Sequence, residues 1–140
     1  MTTKPKFPPE YTKKGKFKLH SGEETDTFYD VNALMTDSKY AQQVINAVPQ
    51  ASHYVGIATG GALIAFGASL QRGKQFSMIK DGELKGNMPE RDYILIDDVT
   101  TRETSLREAL KIIGKAQKSI FVAMDRRKNK QLELEAMFQE

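Results

Sequence analysis

Two adjacent carboxylates, Asp97 and Asp98, stand where the apolar run Tyr93-Ile94-Leu95-Ile96 stops. Hydroxyl side chains follow at Thr100, Thr101, Thr104 and Ser105, and an amphipathic pattern then begins. Carboxylates at the end of a buried strand can accept hydrogen bonds from sugar hydroxyls or hold a hydrated cation. Hydroxyls, loop amides and a helix N-terminus can receive a phosphate. The segment YILIDDVTTRETS therefore reads as a site for a sugar phosphate. Other polar groups end apolar runs in the same way: Thr59-Gly60-Gly61, Lys80 and Asp125-Arg126.

The elements that must hold these groups alternate. Strands are predicted over residues 54–57, 75–79, 93–96 and 118–124, and helices over 37–48, 62–72 and 105–113. Asp37 is a good N-cap for the first helix and Pro49 stops it. The second helix is apolar almost all round, which predicts full burial, and Gly73 ends it. Ser105 and Glu108 have capping-box spacing for the third helix, which runs to Gly114. Residues 129–140 could form a strand, a helix or both. Alternation of this kind gives an α/β, Rossmann-like parallel sheet with right-handed crossovers, whose ligands bind outside the carboxyl ends of the strands. The chemically loaded strand ends then share one edge.

Three stretches lie outside that alternation. Residues 1–16 have no helical or strand period and read as a basic arm, either poorly ordered or wrapped on the surface. Residues 17–36 carry a loose alternation around Ser21-Gly22, which suggests two short strands forming a small hood. Residues 80–91 are longer than a plain connection needs, so a functional or mobile loop is expected.

At 140 residues and 39% hydrophobic, the chain is long enough for one soluble domain with one core. It has no cysteine, which excludes disulfides and thiolate metal sites and is compatible with a reducing cytoplasm. No apolar run is long enough to span a bilayer. Net charge is +3, but six lysines precede residue 19 and Arg126, Arg127, Lys128 and Lys130 cluster later. Such clusters suit an anionic, phosphorylated substrate. Nucleic acid rests on charge alone and is the weaker competitor.

Taken together, these blocks resemble the type I phosphoribosyltransferases, and among them orotate phosphoribosyltransferase. YILIDDVTTRETS is similar to that family's strand, acidic pair and phosphate loop. FKLHSGEETDTFYDV (17–31) resembles its hood segment, GIATGGALIA (56–65) its pyrophosphate loop, and MDRR (124–127) its step after the last core strand. The resemblance implies the fold of that family in residues 17–140, with a lid over 80–91. It also implies transfer of ribose 5-phosphate from phosphoribosyl pyrophosphate (PRPP) to orotate in pyrimidine biosynthesis. Asp97 and Asp98 would hold the ribose and stabilise an oxocarbenium ion. Thr59, Gly60 and Gly61 would approach the pyrophosphate, and Thr100, Thr101, Thr104 and Ser105 the 5-phosphate. Lys80 and Lys85 of the lid would close over the pyrophosphate. Arg126, His20 and Phe28 would meet the base, Arg126 by pairing with its carboxylate. Mg²⁺ would come with PRPP rather than sit in a protein cage. A cytoplasmic homodimer is implied.

The chain departs from the pattern at Arg102-Glu103, where the family prefers small residues and a glycine. Glu103 beside a phosphate would repel it, unless Arg102 turned inward to offset the charge. That departure leaves room for two other readings: a non-catalytic PRPP or nucleotide-binding regulator, and a transferase for another base.

Overall fold

The computed structural model describes residues 4–19 and 22–140. A 3₁₀ turn at Pro9–Tyr11 leads into β1 (Thr12–Lys18) and β2 (Glu24–Tyr29), which pair antiparallel as a separate two-stranded ribbon. Then come α1 (Val31–Leu34), α2 (Ser38–Ala47), β3 (His53–Ile57), α3 (Gly60–Arg72), β4 (Gln75–Lys80) and β5 (Glu83–Lys85). The chain continues as β6 (Tyr93–Thr100), α4 (Thr104–Ile113), β7 (Gln117–Asp125) and β8 (Glu135–Gln139).

The main sheet has the order β5-β4-β3-β6-β7-β8. Its strands run parallel except β5, which folds back antiparallel on β4. From β3 the chain winds outward to β4, then returns to place β6 on β3's other side. The order therefore reverses between β3 and β6, and the crevice at their carboxyl ends is where such sheets bind ligands. β6 is apolar along its whole first half because both faces are covered. Ile94 and Ile96 pack with α1, α2, α3 and the ribbon side; Tyr93 and Leu95 pack with Leu106, Ala109 and Ile113 of α4.

Several expectations need correction. Of the two readings of residues 1–16, the described part follows the wrapped one and goes deeper than the surface. Phe7 is a core residue edge-on to Tyr29 and Phe138, Lys4 Nζ donates to the Ala136 carbonyl, and β1 begins at Thr12. Lysines along a largely exposed strand hid its strand character. Within the loop at 80–91, residues 83–85 pair antiparallel with the end of β4. Asp81 and Gly82, both at positive φ, make a two-residue hairpin turn, and Leu84 packs against the core. The Ser77 hydroxyl donates to the Asn87 carbonyl and meets His53 Nε2, which fastens the return.

α3 is not fully buried. Leu63, Phe66 and Leu70 face outward on one stripe, while Ile64, Ala65 and Ala68 face the core. It also starts two residues early, with Gly60 and Gly61 inside its first turn. A Cβ on Gly60 would lie 2.5 Å from Asp98 Cβ and 2.6 Å from Asn32 Oδ1, and one on Gly61 would overlap the Ile96 carbonyl oxygen. These glycines let the helix N-terminus press directly on β6. β6 in turn runs on through Asp97 and Asp98 to Thr100, because β7 continues to pair with it as far as Asp125. Residues 135–139 form the parallel edge strand β8.

Candidate active site

Three cavities open around the reversal point. Asp97 and Asp98 serve different ones, since successive side chains on a strand leave opposite faces. Asp97 is buried and lines a small cavity of about 30 Å³ under the loop that links β6 to α4. Burial first, and then the neighbouring Asp98 charge, push its carboxyl well above the usual carboxylate range. Its Oδ1 accepts from the Asp98 amide at 2.8 Å. Asp98 faces the other way, into a cavity of about 150 Å³ beneath the ribbon, which it lines with Asn32, Phe28, Tyr29, Thr101 and Arg126.

The small cavity is the one ringed by hydroxyls. Thr100, Thr101, Thr104 and Ser105 all line it, together with Arg102 and Glu103. The N-terminal amides of α4 add a positive end to the hydroxyls. The expected capping box is absent: Glu103 itself precedes the helix, in the left-handed conformation with φ 65°, and no side chain caps it. Those first amides stay free of a protein cap.

Glu103 reverses what its charge suggested. Its side chain is only 2% exposed and sits in a nest of donors. Oε2 accepts from Arg127 Nη1 at 2.7 Å, the Leu132 amide at 2.8 Å and the Gln131 amide at 2.9 Å, while Oε1 accepts from Arg107 at 2.8 Å. Burial alone would raise its pKa; the donors from Leu132, Arg127, Gln131 and Arg107 outweigh it and pull it down to about 2. Arg127 is fixed in turn by Asp125 in a side-on pair, Nε to Oδ1 and Nη2 to Oδ2 both at 2.9 Å. Arg102 does not turn inward to offset Glu103; it pairs with Glu23 at the ribbon. The loop is thus held from behind, with its anionic residue already neutralised.

Arg126 lies between the cavity under the ribbon and a larger one of about 500 Å³, and lines both. Its guanidinium stacks 4.8 Å from the Tyr29 ring centroid. Nη1 donates to the Thr27 carbonyl at 3.1 Å and Nη2 to Thr25 Oγ1 at 3.0 Å, so it also pins β2 to the sheet. Phe28 is exposed and tilts against Phe17. Thr59, Gly60 and Gly61 sit at the N-terminus of α3, where Gly60 touches Asp98. Lys80 ends β4 at the same edge but lines none of these cavities, and Lys85 is ion-paired with Glu83 at 2.8 Å. His20 lies outside the described residues. The geometry therefore gathers Asp98, Thr101, Phe28 and Arg126, puts Asp97 and the hydroxyls next door, and leaves the lysines apart.

The sheet and its crossovers have counterparts among solved structures. Orotate phosphoribosyltransferase from Aeropyrum pernix superposes with a TM-score of 0.79, covering 93% of this chain and 89% of that one at 21% identity. The chain has the type I phosphoribosyltransferase fold. Adenine phosphoribosyltransferase from Thermoanaerobacter pseudethanolicus shares that fold at a TM-score of 0.62 and 11% identity, over 81% of this chain and 88% of its own. In sequence, the chain is 29% identical to the orotate phosphoribosyltransferase of Methanothermobacter thermautotrophicus over 129 residues, 81% of this chain and 72% of that protein. No family model matches the chain.

The pair Phe28-Tyr29, readable in the sequence as able to flank the base, lines the cavity under the ribbon, but sequence reasoning missed Asn32 and the whole Glu103–Arg127–Asp125 network. Only the Asp125-Arg126-Arg127 run hinted at the last. Because the folded pKa of Glu103 is depressed, its contribution to stability is present above pH 4.5 and is lost as pH falls toward about 2. We expect Glu103→Gln to cost about 3 kcal/mol at pH 7 by removing the buried charge that Arg127, Arg107 and two amides share, and to flatten the loss of stability between pH 4.5 and 2.5. Urea unfolding of both proteins across that range checks this; equal stability at pH 7 with equal acid slopes would contradict it.

Proposed function

We propose that this protein transfers ribose 5-phosphate from PRPP to orotate, releasing pyrophosphate and forming orotidine 5′-phosphate. The observation that carries the proposal is the contiguity of two cavities. A small one ringed by hydroxyls and helix amides meets, at Thr101, a second one containing a carboxylate, an exposed aromatic ring and an arginine. The sequence likeness to orotate phosphoribosyltransferases supports the choice of base.

In this reading the 5-phosphate rests on Thr101, Thr104 and Ser105, with Thr100 and Asp97 beneath. The ribose lies over Asp98, whose charge stabilises the oxocarbenium character that grows as the bond from C1 to pyrophosphate breaks. The ring nitrogen of orotate forms the new bond to C1, its proton leaving with the pyrophosphate. Phe28 flanks the base and Arg126 meets its carboxylate. His20 completes the base side. Thr59, Gly60 and Gly61 lie against the pyrophosphate. Asp98 beside the Asn32 amide oxygen offers hard oxygen donors that fit the hydration shell of Mg²⁺. When bound with PRPP, that ion would neutralise charge on the leaving group. A role in pyrimidine biosynthesis and a cytoplasmic location follow from the reading; among the described residues no helix is long and apolar enough to cross a membrane.

We also propose a homodimer, formed through the outward stripe of α3. Phe66 and Leu70 are 52% and 71% exposed there, beside Leu63. Lys80 and Lys85 would then reach the pyrophosphate of the second copy.

The assay is direct: orotate absorbance followed with PRPP and Mg²⁺. Turnover is expected, and Asp98→Asn should lower it by about a hundredfold, the scale of losing one preorganised electrostatic contact. Saturable PRPP binding without orotate consumption would overturn the enzymatic reading and favour a regulator. Separately, Phe66→Glu should convert a dimer to a monomer in light scattering. An unchanged dimer, or a monomeric parent, would overturn the proposed interface.

A further inference from the structure

Arg126 has few free directions. Thr27 and Thr25 take one side of the guanidinium, and Glu140, just beyond β8, takes another. Arg126 Nε donates to Glu140 Oε1 at 3.2 Å and Nη2 pairs with Oε2 at 3.0 Å. The Tyr29 hydroxyl adds a third donor to Oε2 at 2.9 Å. This is the side-on, two-pronged grip that an arginine gives a carboxylate ligand, with a phenol completing it. Arg126 itself is nearly buried, whereas Glu140 is 40% exposed at the wall of the larger cavity. The fixed partner is the cation; the displaceable one is the anion.

We propose that Glu140 is a specificity-determining residue: its carboxylate occupies the Arg126 fork in the free protein, and a carboxylate-bearing base must displace it to bind. The inference rests on the reading that Arg126 receives the carboxylate of orotate. A base without a carboxylate makes no demand on the fork, so Glu140 narrows the preference for orotate over uracil, the same ring lacking that group. A ligand that needs a minor, open state binds with its affinity reduced by the fraction open. The PRPP side is not involved, because Glu140 does not line the loop cavity.

The test is equilibrium titration of the whole chain and of Glu140→Gln and Glu140→Ala with PRPP, orotate and uracil. Removing the internal anion should tighten orotate roughly five- to tenfold, leaving PRPP and uracil unmoved, so the ratio of orotate to uracil affinity rises. Orotate affinity that stays the same or falls in both variants while PRPP still binds would overturn this inference alone. So would an equal gain for uracil, which would mean a general loosening of the site. Failure of PRPP to bind any of the proteins would overturn the proposed function and this inference with it.

Discussion

The buried carboxylate of Glu103 is the constraint on which the site depends. It sits at the turn between β6 and α4, in a left-handed conformation that glycine would adopt more easily. What compensates is the set of donors around it: Arg127, Arg107 and the amides of Gln131 and Leu132. Because Arg127 is clamped to Asp125 at the end of β7, one carboxylate joins the loop between β6 and α4, the neighbouring strand and the segment before β8. A buried pair of this kind adds little net stability over an apolar substitute, but it fixes geometry and is costly to break. The loop is left with hydroxyls and uncapped amides at its cavity, and the charge of Glu103 is met by two arginines.

The second constraint is close packing at the other lip of the crevice. Gly60 and Gly61 bring the first turn of α3 onto Asp98 and Ile96, so two helix N-termini, from α3 and α4, converge on the end of β6. Strand alternation then divides the labour between neighbours in sequence. Asp97 goes to the loop side, where burial favours its neutral form, and Asp98 goes to the ribbon side. Arg126 closes that side by holding β2 through Thr27 and Thr25. Sheet edge, loop and ribbon are thus tied by two adjacent arginines, one turned to each face.

Much of this was legible in the sequence, for reasons that are local. Asp37 as a cap, Gly73 and Gly114 as helix ends, and the apolar run before Asp97 each act within a few residues of themselves. Order of strands and helices implied a parallel sheet, and a parallel sheet places its site at one edge. What could not be read were partners distant in sequence. Glu103 looked like a repelling charge because Arg127 is 24 residues away. Arg126 looked free because Glu140 and Thr25 meet it only in the folded state. The glycine pair suggested room for pyrophosphate, whereas its first effect is room for Asp98. The ribbon strand β1 was hidden by lysines, since a strand exposed on one face needs few apolar residues.

The most direct measurement is a crystal structure of the protein soaked with PRPP and orotate. The 5-phosphate is expected on the amides and hydroxyls of Thr101 to Ser105, and the ribose over Asp98. Glu103 should still be bonded to Arg127 and Leu132. A phosphate seated away from that loop, or a Glu103 side chain swung out of its nest to face it, would contradict the central role given to this buried carboxylate.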